Sequence, residues 1–184
     1  MIKLLTIIGA RPQIIKAAAI SRAIQAHFSD KIEEHILHTG QHYDQNMSAV
    51  FFDELGIPEP HYNLHVGSGT HATQTARITE GVEQVLLTAR EQGTPFHGVI
   101  VYGDTNSTLA ASIAAAKIHV PVFHIEAGLR SFNMSMPEEV NRIVCDQLST
   151  ILFTPTETGL QNLHAEGFGQ LSHGLANPAE ADDT

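Results

Sequence analysis

A near-continuous apolar run, Ile2 to Ile8, opens the chain and stops at Gly9. A strand that is apolar on both faces has to be covered on both faces, the situation of a parallel sheet sandwiched between helices. The rest of the sequence supplies those helices. Pro12 starts a helix-forming stretch over Gln13 to Phe28, with Ile14, Ile15, Ala18, Ile20 and Ile24 as its apolar members. Further strands are predicted over Glu34 to His38, Gly98 to Tyr102, Val120 to Ile125 and Ile151 to Phe153. Further helices are predicted over Gln45 to Leu55, Thr70 to Gln92, Asn106 to Ile118, Pro137 to Leu148 and Thr156 to Glu166, with Pro58 to Gly69 left as loop. Strands alternating with helices require crossover connections, so the expected class is α/β: a Rossmann-like parallel sheet with helices on both faces.

Length and composition fit one such domain. The chain has 184 residues, 42% of them hydrophobic and 16% charged, enough apolar material for a sizeable core. Ten Lys and Arg against 20 Asp and Glu give a formal charge of −10, a field that repels nucleic-acid backbones and anionic membrane surfaces. A single cysteine, Cys145, excludes an internal disulfide framework and any multi-thiolate metal site. The apolar start could be mistaken for a short signal peptide, but Arg11, Pro12 and Lys16 interrupt it. The expected location is cytoplasmic.

In an open parallel sheet, ligands bind beyond the carboxyl ends of the strands, and every polar cluster here falls at such an end. Gly9-Ala10-Arg11-Pro12-Gln13-Ile14-Ile15-Lys16 follows the first strand and contains neither a GxGxxG fingerprint nor a P-loop. A tight turn, a helix N-terminus and two cations suit an anionic oxygen, although Arg11 and Lys16 could also be solvated surface charges. Tyr102-Gly103-Asp104-Thr105-Asn106-Ser107-Thr108 follows the third strand, and there Asp104 or Thr105 could simply cap the next helix. Glu126, directly after a buried strand, needs a partner or a task; an ion pair with Arg130 would supply the former. Ser135 and Glu138 read as a capping box around Pro137, yet Glu138, Asn141 and Arg142 also share one helical face. The 12 histidines show no metal-binding spacing, and Cys145 sits mid-helix as a core thiol.

Taken jointly, these segments resemble the non-hydrolysing UDP-N-acetylglucosamine 2-epimerases. The matching stretches are Gly9 to Gln13 with Ile15-Lys16, His38 to His42, Val101 to Thr105, His124 to Arg130, Met136 to Arg142 and Pro155 to Thr158, in the family's order. The resemblance implies an architecture like that of the GT-B glycosyltransferases, with residues 1–167 as the Rossmann-like N-terminal half. Residues 168–184 would then be a tail or linker toward a C-terminal domain that carries most of the UDP pocket and a catalytic histidine. It further implies inversion at C2 of a UDP-sugar by elimination and re-addition of UDP, with no redox cofactor. Asp104, Glu126 and Glu138 would be the acid and base groups, and Arg11, Lys16, Gln41, His42, Arg130 and Arg142 the substrate contacts. Family members associate as homodimers, so an exposed apolar face near Phe51 and Phe52 would favour a dimerisation module. Ala10, Gln13 and Arg130 to Met134 look like the branch that acts on a 2,3-diacetamido glucuronate UDP-sugar. Without the second domain, the isolated chain is expected to bind nucleotide weakly and turn over slowly or not at all.

Overall fold

The structure, a computed structural model, describes residues 1–41, 52 and 55–168. In chain order its elements are β1 (Ile2–Ile8), α1 (Arg11–His27), β2 (Ile32–His38), β3 (Tyr62–Asn63), α2 (His71–Glu91), β4 (Gly98–Tyr102), α3 (Asn106–Lys117), β5 (Val122–Ile125), α4 (Pro137–Leu148), β6 (Ile151–Phe153) and α5 (Glu157–Ala165). The strands form one parallel sheet in the order β3-β2-β1-β4-β5-β6.

β1 shows why the sheet has to be covered twice. Leu4 and Ile8 face a core with Ile36, Ile100 and Tyr102 of neighbouring strands and Ile14, Ala17 and Ala18 of α1. Leu5 and Ile7 face the opposite core, made with Ile78, Val82 and Leu86 of α2 and Ala110, Ala111, Ala114 and Ala115 of α3. Each fully buried Leu or Ile contributes roughly 1.5–3 kcal/mol, so this central strand anchors both layers. Alanine on α3 lets that helix lie close to both sheet and α2. At the sheet surface Gly98 leaves room for the Phe123 ring, which a β-carbon there would meet at 2.5 Å.

Most of the expected elements are present, with shifted ends. α1 begins at Arg11, because Pro12 is accommodated in a first turn where no backbone donor is needed. β2 begins at Ile32 and β5 only at Val122. The stretch expected to be all loop contains β3, whose two residues pair with Leu37 and His38. The expected helix over Gln45 to Leu55 falls outside the described residues except at Phe52 and Leu55. Phe52 is buried in the α1-side core rather than exposed, so it offers no dimerisation face; Phe51 lies outside the described residues. Among the described residues no helix is long and apolar enough to cross a membrane.

The strand order reverses between β1 and β4, which opens a crevice beyond their carboxyl ends. The turns after β1, β2, β4 and β5 all gather at that end of the sheet.

Candidate active site

The turn after β1 is built around Gln13. Its side-chain carbonyl accepts the Gly9 and Ala10 N–H groups at 2.8 and 3.1 Å, while its amide donates to Tyr102 O and to the Thr105 and Thr108 hydroxyls. One buried amide thus joins the β1 turn to the β4 turn. Gly9 has no space for a β-carbon, because the mutually bonded Thr39 and Ser107 hydroxyls press against it. Gln41, an expected substrate contact, turns its carbonyl toward the Ser107 N–H and hydroxyl at 3.1 and 2.6 Å and so holds the start of α3. His42 lies outside the described residues. Arg11 is exposed at the mouth of the crevice, and Lys16 is half-buried one turn further along α1.

Across the crevice, Lys16 Nζ forms an ion pair with Glu126 Oε2. Glu126 therefore pairs with Lys16 and not with Arg130, the partner considered from sequence. Its backbone is held at φ +78°, a left-handed conformation that a non-glycine residue adopts at the expense of strain. The Glu126 and Ala127 N–H groups both donate to Phe153 O at 3.0 Å, and this fixes the unusual turn. Gly103 passes beneath the pair at φ +63°, where a β-carbon would lie 3.2 Å from Glu126 Oε2. Here glycine supplies both the backbone angle and the clearance.

Next to Gly103, the cap of α3 is Thr105, whose hydroxyl accepts the Thr108 N–H. That leaves the Asp104 carboxylate for Arg142 Nη2 at 2.6 Å, while Asn141 donates to the Asp104 carbonyl at 2.8 Å. The helical face expected on α4 thus meets the β4 turn through Asn141 and Arg142. Glu138, the other acid expected on this face, is half-buried in the first turn of α4, and its side chain has no hydrogen bond or ion pair among the described residues. The expected capping box is absent: the N-cap is Met136, and Ser135 donates instead to Asn133.

Glu139, which the sequence reading passed over, organises this region. It is 1% exposed and accepts from the Ser131 N–H and hydroxyl, the Phe132 N–H and Arg142. Burial alone would raise its pKa, but these donors outweigh it and hold the carboxyl down at about 2. Burial likewise works against the Arg142 charge, which Glu139 and Asp104 more than restore. A chain of charge therefore runs from the 131–132 turn through Glu139 and Arg142 to Asp104.

Arg130, also expected to contact substrate, is committed inside the fold. Its guanidinium is 1% exposed, paired with Asp146 at 2.8 Å and doubly bonded to Glu166 at 2.6 Å. Behind it, Asp146 reaches His124 Nδ1 at 2.7 Å, and His124 Nε2 reaches Gly103 O at 2.7 Å. The sequence signal for Glu139 and Asp146 is faint: both are acids on a helix with apolar Val140 and Leu148, and hydrophobic patterning points those apolar residues inward. Cys145 is fully buried and its thiol is pushed up to about 12 by burial, consistent with an inert core residue. Among the described residues no group of three His, Cys, Asp or Glu side chains is placed to hold a metal ion.

The crevice thus brings Lys16, Asp104, Glu126 and Arg142 together, while Glu138 lies in the first turn of α4. Two carboxylates beside two cations form a site able to move protons next to an anionic ligand. A family model described as UDP-N-acetylglucosamine 2-epimerase matches residues 23–172. The chain belongs to that family. It is 54% identical over 175 residues to the UDP-2,3-diacetamido-2,3-dideoxy-D-glucuronate 2-epimerase of Pseudomonas aeruginosa, covering 95% of this chain and 48% of that enzyme. It is 47% identical over 165 residues to the UDP-N-acetylglucosamine 2-epimerase of Methanocaldococcus jannaschii, covering 90% of this chain and 43% of the other. The crystal structure of the Methanocaldococcus jannaschii enzyme in complex with UDP-GlcNAc and UDP superposes with a TM-score of 0.83 over 90% of this chain and 44% of that one, at 47% identity. The UDP-GlcNAc-bound enzyme of Neisseria meningitidis gives a TM-score of 0.79 at 36% identity, over 90% of this chain and 43% of that one. The chain spans about half the length of the curated relatives it matches, and its fold is that of their N-terminal half.

Proposed function

We propose that this chain provides the proton-transfer half of a UDP-sugar 2-epimerase site, an isomerase that inverts C2 of a UDP-2-acetamido sugar. The observation that carries the reading is the pairing of Lys16 with Glu126 and of Arg142 with Asp104 on either side of the Gly103 turn. In the forward step a carboxylate takes the C2 proton while the C1–O bond to UDP breaks, giving a glycal and free UDP. In the return step a carboxylic acid protonates the other face of C2 as the C1–O bond re-forms. Asp104, Glu126 and Glu138 are the acid and base groups in this reading. An arriving pyrophosphate competes for Lys16, which frees the Glu126 carboxylate to act as base, while Arg11 and Arg142 offset the charge on the leaving group.

The substrate is UDP-N-acetylglucosamine or its 2,3-diacetamido glucuronate counterpart, and the identity to the Pseudomonas aeruginosa enzyme supports the latter. Residues 1–167 form the Rossmann-like domain, residues 168–184 a tail or linker, and the protein works in the cytoplasm as a homodimer. A non-catalytic binding or dimerisation module is the second reading. Proton NMR of each sugar incubated with the chain in deuterated water tests the proposal. Loss of the C2 proton signal, abolished by Glu126→Gln and by Asp104→Asn, is the result expected of a working half-site. Silence with both sugars, alone and after addition of the C-terminal half of a relative, would leave only the module.

A further inference from the structure

His124 has no task in the reaction just described, yet it is fully buried with both ring nitrogens on acceptors. Nε2 lies 2.7 Å from Gly103 O and Nδ1 lies 2.7 Å from Asp146 Oδ1. A carbonyl oxygen can only accept, so Nε2 carries a hydrogen. Asp146 in turn accepts from the Arg130 guanidinium at 2.8 Å and the Gly128 N–H at 3.1 Å, so the ring is seated on a carboxyl that is itself fixed from two sides. We infer that His124 is a positioning residue: a buried ring, seated on Asp146, that donates from Nε2 to the Gly103 carbonyl and so fixes the Gly103–Asp104 turn and with it the reacting carboxylate.

The placement makes the consequence concrete. His124 lies two residues before Glu126 on β5 and holds the carbonyl immediately before Asp104 on the adjacent strand end. Asn141 holds the next carbonyl and Arg142 the carboxylate, so the turn is gripped at three successive oxygens, all of them ultimately from α4. The charged groups around the ring are Asp146 on α4, Arg130 from the β5–α4 loop behind it, and Glu166 beyond Arg130. Misplacing a reacting group by about 1 Å lowers rates by about a hundredfold, so a rigid turn matters here. The inference deepens the epimerase reading and rests on it for its catalytic consequence.

The test is NMR of the full chain with nitrogen-15 in its histidines. His124 is expected to carry a hydrogen on Nε2, with a scalar coupling from Nε2 to the Gly103 carbonyl carbon. Asp146→Asn is expected to move the His124 ring signals and the Gly103, Asp104 and Thr105 amides, with the amides of α2 unmoved. A purely structural role would lower the melting temperature without displacing those signals. A bare Nε2 in the wild type, or unmoved Gly103 and Asp104 amides in the folded variant, would overturn the inference. If Asp146→Asn does not fold, the wild-type ring signals and coupling still decide. Where the wild type exchanges the C2 proton, Asp146→Asn should slow exchange about a hundredfold with KM little changed. An absence of exchange in the wild type counts against the epimerase reading alone and leaves the ring measurement standing.

Discussion

At the scale of single residues, the site is held by side chains that do no chemistry. Gln13 is the plainest case: 3% exposed, it satisfies two backbone donors and three acceptors on different turns. Gln13→Ala is expected to lower unfolding free energy by about 3 kcal/mol, read from urea denaturation, because buried N–H groups lose their acceptor. Gly103→Ala should cost about 1 kcal/mol in backbone strain and crowd the Glu126 carboxylate, so UDP-sugar binding or C2 exchange should fall more than the melting temperature does. Glu139 gives a pH prediction. Its pKa lies well below the ordinary 4.5, so its stabilisation is complete above that value and is lost as pH falls toward about 2. Glu139→Gln should remove about 3 kcal/mol near neutrality, and the gap to wild type should close toward pH 2 in denaturation curves.

Elements differ in how openly the sequence announces them. β1, β4, β6 and α4 are bounded where apolar runs, glycine and proline place them, since both faces of the strands are apolar and Pro137 marks the first turn of α4. β3 escapes, because two residues carry no period and exist as strand only through pairing with Leu37 and His38. The candidate crevice is legible in outline because Asp104 and Glu126 follow strand ends, while Lys16 and Arg142 lie in the first two turns of α1 and α4. Which cation meets which acid is not legible, since the pairs join residues 110 and 38 positions apart. α4 inverts ordinary patterning: Glu139, Asn141, Cys145 and Asp146 face inward while Val140 and Leu148 are exposed. The end of β2 is acid-sensitive as well. Burial, helped by the nearby His65, lowers His38 from 6.5 to about 4, and its Nδ1 accepts the Gly40 N–H, which a protonated ring could not do. The unfolded chain takes up that proton more readily, so stability should fall as pH drops from about 6.5 to about 4. His38→Gln should flatten that part of the stability curve.

On the scale of the whole molecule, a net charge of −10 surrounds a crevice whose cations are already paired, so an anionic ligand gains little from long-range attraction. Binding of UDP-N-acetylglucosamine to the isolated chain should therefore be weak, near millimolar by titration NMR. Sedimentation separates the two assembly readings, with a dimer expected if the chain carries the contact surface. The parallel sheet also makes the molecule directional. The candidate groups sit on turns that leave the strands and in the first two turns of α1 and α4, whereas the connections entering the strands, at residues 28–31, 92–97, 118–121 and 149–150, hold none of them. The two ends should consequently tolerate engineering unequally. A dye, affinity handle or surface tether inserted among the exposed residues 92–95 would leave the crevice facing outward, so a sensor could be built on this chain from the underside.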